Sequence, residues 1–274
     1  MLAIATIFAF IAVVAAFNYF ESADAPSRGV ALVTAASRRI GAVLAKAAAQ
    51  AGHDVVVHYR SDAQGAQAVV QALEAMGRRA VAVQAELTDA GARAALIDQA
   101  AAFGPLRALV NNASLFVYDQ LETFQEADLR LHHEVNVLAP LALIRDFAAR
   151  LPDGDEGVVV NMLDYKVTAP NPDFFSYTVS RVGIAHMTGA LALALAPRIR
   201  VCGIAPGLTL PSAGWPEADY QAGAEATPLK RPVAIEDLAA ALTFILTARS
   251  LTGQNLVVDA GAGLTRRDRD LEFA

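Results

Sequence analysis

Cysteine is almost missing from this chain: one residue among 274, Cys202. A lone cysteine excludes an intrachain disulfide and any CxxC metal site. In the apolar run "IRVCGIAP" it reads as a small core residue. Charge is scarce as well, 18% of residues against 55% hydrophobic, which excludes a disordered chain. The net balance of −6 argues against a general nucleic-acid binder. The histidine pair His132 and His133 has no cysteine or carboxylate at metal spacing. It reads as helix surface, and no metal is expected. Internal repeats and low-complexity linkers are absent, and the length suits one large α/β domain with a buried core.

Charge is missing altogether from the first twenty residues, "MLAIATIFAFIAVVAAFNYF". As a helix they span about 30 Å, one bilayer core. No basic residue precedes the run, so a secretory signal fits poorly. The leading expectation for residues 1–25 is a membrane anchor, with the globular part cytoplasmic because Arg28, Arg38 and Arg39 follow it. Three alternatives stay open: cleavage after "SADA", an extra core or oligomer helix, and a segment never made in the cell.

From Gly29 onward strands and helices alternate. "VALVT" (30–34), "DVVVHY" (54–59), "AVAVQ" (80–84), "LRALVN" (106–111), "GVVVN" (157–161), "RIRVCGI" (198–204) and "NLVVD" (255–259) read as strands. The Ala-rich stretches between them read as helices, among them 124–150, 174–196 and 235–247. Strands that are continuous apolar runs belong in a parallel sheet covered on both faces. The fold class is therefore α/β, a doubly wound parallel sheet of Rossmann type in a single domain. The longest irregular stretch, 205–230, is rich in Pro, Gly and Ala and suits a lid.

Ligands bind such sheets beyond the carboxyl ends of the strands. The first turn, "TAASRRIG" (34–41), leads into a helix N-terminus, which attracts phosphate. It has one glycine, Gly41, and carries Arg38 and Arg39 instead; solvated helix-start arginines are the alternative reading. The second strand ends "HYRS", without the carboxylate that accepts from a ribose 2′-hydroxyl. Arg60 and Ser61 suit a 2′-phosphate, so a dinucleotide there would be NADPH. Polar "VNNAS" (110–114) and the turn "APG" (205–207) end two further strands.

Taken together, "TAASRRIG", "NNAS", Asn136 in "EVNVLAP", "YTVSR" (177–181) and "APG" resemble the short-chain dehydrogenase/reductase family over about residues 28–264. Within it the chain looks most like the pteridine reductases and bacterial dihydropterin reductases. Those share an arginine in the first turn, an "HYR"-like strand end and an aspartate thirteen residues before the tyrosine, here Asp164. The resemblance implies reduction of a pterin-like small molecule by NADPH and a homo-oligomer, commonly a tetramer. It implies Asp164, Tyr177, Arg181 and Asn136 as catalytic residues, Asn136 holding a water. Thr34, Arg38, Arg39 and Ile40 would meet cofactor phosphate, and His58, Tyr59, Arg60 and Ser61 its 2′-phosphate end. Glu86 and Leu87 would sit beside adenine, and Asn112, Ala113, Ser114, Pro206, Gly207 and Leu208 along the rest. Arg39, Ser114, Phe116, Asp164 and Tyr177 would meet substrate, Phe116 by stacking. Core packing for Phe116, a turn cap for Asp164 and a backbone contact for Asn136 are the plainer readings. Residues 265–274, with "RRDRD", read as a solvated tail or an oligomer contact.

In this family the fifth residue of "YTVSR" is lysine; here it is Arg181. A cation one turn from a tyrosine favours the phenolate, and lowering its pKa by about two units takes roughly 2.7 kcal/mol. Arginine keeps that charge but cannot relay a proton. Asp164 offers another proton source if burial raises its pKa. The expectation is a working donor with an altered route. Two rivals stand beside it: a reductase of 3-oxoacyl or ketone substrates, and an impaired NADPH-binding sensor or scaffold.

Overall fold

A computed structural model describes residues 26–212 and 214–273. The apolar stretch expected as an anchor lies outside the described residues. Strands β1 (Val30–Val33), β2 (Asp54–Tyr59), β3 (Ala80–Gln84), β4 (Leu106–Asn111), β5 (Gly157–Met162), β6 (Ile199–Pro206) and β7 (Asn255–Val258) form one sheet. Their order is β3-β2-β1-β4-β5-β6-β7 and every pairing is parallel. The order reverses between β1 and β4, which leaves a crevice at their carboxyl ends.

Alternate side chains of the inner strands enter two cores. Val55 and Val57 pack with Leu44, Leu73 and Leu242, from helices α1 (Arg39–Gln50), α2 (Ala63–Ala75) and α8 (Ile235–Thr247). Val56 and Leu109 face Leu96, Leu143 and Phe147, from α3 (Ala90–Phe103) and α5 (Ala139–Arg150), with α6 (Phe175–Leu195) beside them. Among the described residues α6 alone is long and apolar enough to cross a membrane, but Ile184, Thr188 and Ala192 bury it in this domain.

Three sequence expectations change in detail. The helix expected at 124–150 is α4 (Glu126–His133) joined to α5 by a π-helical stretch, Glu134–Leu138, which carries Asn136. Such insertions widen a helix and often accompany functional residues. The irregular stretch 205–230 contains a helix, α7 (Glu217–Glu225), anchored by Tyr220, whose hydroxyl donates to the Thr209 carbonyl at 2.8 Å. His132 is also buried, at 1% exposure, rather than on the helix surface.

Candidate active site

The turn after β1 lacks glycine where its backbone most strains a side chain. Ala35 and Arg39 sit at φ 50° and 52°, a region that costs an L-residue about 1–2 kcal/mol. Neighbouring elements hold it there. Ala35 N–H donates to His58 Nδ1 at 3.0 Å. Thr34 Oγ1 accepts from the amides of Asn112 and Ala113 at 2.8 and 2.9 Å. Asn112 Nδ2 returns bonds to the Thr34 and Ala35 carbonyls at 3.0 and 3.2 Å. A Cβ on Gly41 would overlap the Ala35 carbonyl, so that glycine is required.

This geometry shows what the side chains at four of the expected cofactor contacts do. Thr34 and His58 are 1% and 2% exposed and serve as clasps under the turn. The second His58 nitrogen, Nε2, donates to Ala85 O at 3.1 Å, and burial lowers the ring's pKa and keeps it neutral. Leu87 is buried in the core, while Glu86 accepts from its neighbour Thr88 N–H at 3.1 Å. Arg38, Arg60 and Ser61 remain exposed at this end of the sheet, with Tyr59 half-buried. Helices α2 and α3 are capped by Asp62 and Asp89, but α1 has no side-chain cap and offers its first amides to the crevice.

A cavity of about 240 Å³ opens from that crevice. Arg39, Ile40, Asn112, Ser114, Phe116, Asp164, Tyr177, Arg181, Pro206, Gly207 and Leu208 line it, so most residues singled out from the sequence do meet. Gly207 lets the chain pass β7: a Cβ there would stand 2.7 Å from the Asp259 Cα. Arg39 crosses the cavity mouth and donates to Pro211 O at 2.9 Å. Phe116 stacks on Phe174 with centroids 4.1 Å apart and meets the Tyr177 ring edge-on at 4.7 Å. One of its faces is thus already covered.

Tyr177 stands at the centre. Its hydroxyl donates to Asp164 Oδ2 at 2.9 Å, while Asp164 Oδ1 accepts from Lys166 N–H at 2.9 Å. Asp164 is therefore both the cap of a short turn and the tyrosine's partner. Burial raises its pKa to about 6, against the pull of the Lys166 amide and ammonium. Burial, and next the Asp164 charge, push the Tyr177 pKa up; Arg181 offsets only part of this. The expectation that Arg181 lowers the tyrosine below its ordinary value is thereby corrected. Arg181 itself is 4% exposed, with Nη1 donating to Met162 O at 2.9 Å and Cζ 5.3 Å from the Tyr177 ring centroid. Its Nε is buried without a partner. The pair can thus hold a proton on the phenol at neutral pH and exchange one at the carboxyl near pH 6.

Asn136 lies outside the cavity, fully buried. Its Oδ1 accepts from Leu115 N–H at 2.8 Å, and its Nδ2 donates to Leu115 O and Ser180 Oγ at 3.0 and 2.9 Å. Three of the four bonds its amide can make fasten the Phe116 loop to α6, and one acceptor position on Oδ1 is left over. Sequence reading missed Tyr165, Lys166, Ser212, Trp215 and residues 270–272, which also line the cavity. The last of these corrects the solvated tail: Leu271 is 1% exposed, packed with Tyr165 and Ala262. The lysine two residues after Asp164 was the available signal. Among the described residues no group of three or more His, Cys, Asp or Glu side chains is placed to hold a metal.

Residues 29–219 match the short chain dehydrogenase family. This chain belongs to it. The short-chain dehydrogenase is similar to a FolM alternative dihydrofolate reductase 1 from Brucella suis, solved in complex with NADP. The two share 36% identity and a TM-score of 0.83 over 90% of this chain and 98% of that one. It is 30% identical to pteridine reductase 1 of Leishmania tarentolae, over 88% of this chain and 98% of the relative. A 3-oxoacyl-[acyl-carrier-protein] reductase of Staphylococcus aureus is also 30% identical, over 84% and 96%.

Proposed function

We propose that this short-chain dehydrogenase is an NADPH-dependent reductase of a pterin or dihydropterin ring. The observation that carries the substrate class is the Asp164–Tyr177 pair, a carboxyl with a proton affinity near pH 6 hydrogen-bonded to a phenol in the cavity wall. Such a pair suits protonation of a ring nitrogen. The similarity to the dihydrofolate reductase of Brucella suis and the pteridine reductase supports the same substrate.

The residues present fit the cofactor. The uncapped start of α1 suits its pyrophosphate, and Arg38, Arg60 and Ser61, with no carboxylate at the end of β2, suit a 2′-phosphate. The buried, unpartnered Arg181 Nε is a donor left over for a ligand in the cavity. When bound, NADPH supplies the hydride. Tyr177 and Asp164 hold the proton that the ring nitrogen takes up. Arg181 keeps a positive charge one turn from the phenol but has no proton to give. Phe116 offers its uncovered ring face to a flat substrate, and Arg39 and Ser114 offer donors at the cavity mouth.

The reading includes a homotetramer built through the long helices, where Leu131, Leu138, Val179 and Met187 are exposed. It keeps the catalytic domain cytoplasmic, with residues 1–20 as a membrane anchor, on the sequence alone. Reduction of a 3-oxoacyl thioester is the second reading, favoured by the similarity to the Staphylococcus aureus enzyme.

The deciding assay follows NADPH absorbance with a 7,8-dihydropterin and, in parallel, a simple ketone. Pterin-dependent oxidation is expected, abolished in Asp164→Ala. Turnover of the ketone alone would move the enzyme to the second reading. NADPH binding without turnover of either would make Arg181 the mark of a lost activity.

A further inference from the structure

The C-terminal segment returns to this cavity and buries a charge pair beside Asp164. Lys166 is 1% exposed, and its Nζ lies 2.6 Å from Asp270 Oδ2, on a residue 6% exposed. Asn171 Oδ1 at 3.0 Å and Asp173 O at 2.8 Å complete the ammonium's acceptors. The tail is locked in turn: Asp270 N–H donates to Asp173 Oδ2 at 2.8 Å, and Arg269 Nε lies 2.9 Å from the same oxygen. Lys166 also donates its own amide to Asp164 Oδ1, which fixes its backbone beside the carboxyl, while Asp270, Asn171 and Asp173 hold the ammonium.

We infer that Lys166 and Asp270 are positioning residues whose opposed charges set how much of Asp164 holds a proton. The inference rests on the reading of Asp164 as the proton source. A buried ammonium by itself would hold Asp164 as a carboxylate; a buried carboxylate by itself would hold it as an acid. Lys166 and Asp270 are buried, and buried charges are screened much less by salt than exposed ones. Asp164 feels the two in opposite directions, Lys166 lowering its pKa and Asp270 raising it. The other groups facing Asp164 are the Tyr177 hydroxyl, with Arg181 behind it on α6, and the phenol of Tyr165. Around Asp270 stand Lys166, the Tyr165 hydroxyl at 3.4 Å, the Asn171 amide at 3.5 Å, and the backbone amide and carboxyl of Glu272, whose charge also reaches Lys166. Tail and turn, about a hundred residues apart in sequence, thus tune one proton.

The test is a carboxyl-¹³C NMR titration of Asp164 in the full chain, the signal assigned by its loss in Asp164→Asn. Asp270→Asn is expected to move the midpoint down by about 1 pH unit and Lys166→Met to move it up by about as much. The double variant returns close to the parent value, and Asp270→Glu, which keeps the charge, leaves it in place. The pH profile of kcat/KM follows the same order. Either single variant that folds carries the test alone: an unmoved midpoint, or one moved the wrong way, overturns the inference. Equal activity loss in both without midpoint shifts means a merely structural clasp. Midpoints that move as stated without turnover of any pterin would sink the substrate reading and leave this inference standing.

Discussion

At Asp164 folding and chemistry pull in opposite directions. Its carboxyl is raised by burial from 3.8 to about 6, so the folded chain holds this proton more tightly than the unfolded chain does. Below pH 4 both states carry it and burial costs little. Between about 4 and 6 the unfolded chain ionises first, so stability falls as pH rises, and above 6 the full penalty is present. A displacement of about two pH units corresponds to about 3 kcal/mol, less whatever water in the cavity screens. Asp164→Asn keeps an acceptor for the Lys166 amide but removes the charge. It is expected to raise the urea midpoint at pH 8, with the gain shrinking through pH 6 and gone by pH 4. Its NADPH oxidation falls by about 100-fold or more. An equal gain at pH 8 and pH 4 would show that the buried charge is not what the fold resists.

At the scale of elements, the first turn shows a short segment held by what lies under it. Two residues in left-handed conformation cost about 2–4 kcal/mol together, offset by the His58, Thr34 and Asn112 bonds. Gly41→Ala pushes a methyl into the Ala35 carbonyl and unsettles the same bonds. The variant is expected to lose about 1–3 kcal/mol of stability and to bind NADPH at least tenfold more weakly by fluorescence titration. Unchanged affinity would mean that the start of α1 does not hold the cofactor. The elements themselves were legible because their patterns are local. β2, β3 and β4 are continuous apolar runs and lie where the sequence places them. Helix α7 was hidden because it depends on distant partners, Tyr220 reaching the Thr209 carbonyl and Gly223 lying against Leu271. Asp164, Tyr177, Arg39 and Phe116 were legible in the site through the resemblance of the motifs that carry them, and the fold brings them to one cavity. That Thr34 and His58 clasp the turn was not legible, because a polar residue at a strand end looks alike whether it faces cofactor or clasps backbone.

For the whole molecule, residues 265–273 supply one wall of the cavity. Their charges suggest solvent, yet the partners lie far back in the chain: Lys166 for Asp270, Asp173 for Arg269, Ser212 for Glu272. Phe273 adds ring contacts to Tyr118 at 5.2 Å and Phe174 at 6.3 Å. Phe174 heads α6 at φ 54°, three residues before Tyr177, so the tail also braces a strained entry to the helix that carries the phenol. Deleting residues 266–274 removes the counter-charge of Lys166 and the buried Leu271, a loss of about 3–5 kcal/mol less what the uncovered ammonium regains from water. In a domain of this size that lowers Tm by about 10 °C. The first turn and the end of β2 do not touch the tail, so NADPH affinity should hold within about twofold, while KM for the second substrate rises and kcat falls. Thermal unfolding, a cofactor titration and steady-state kinetics on the shortened chain separate these effects. An unchanged Tm with unchanged kinetics would return the segment to solvent. A lost cofactor site would mean that the tail supports the whole sheet edge rather than the substrate wall.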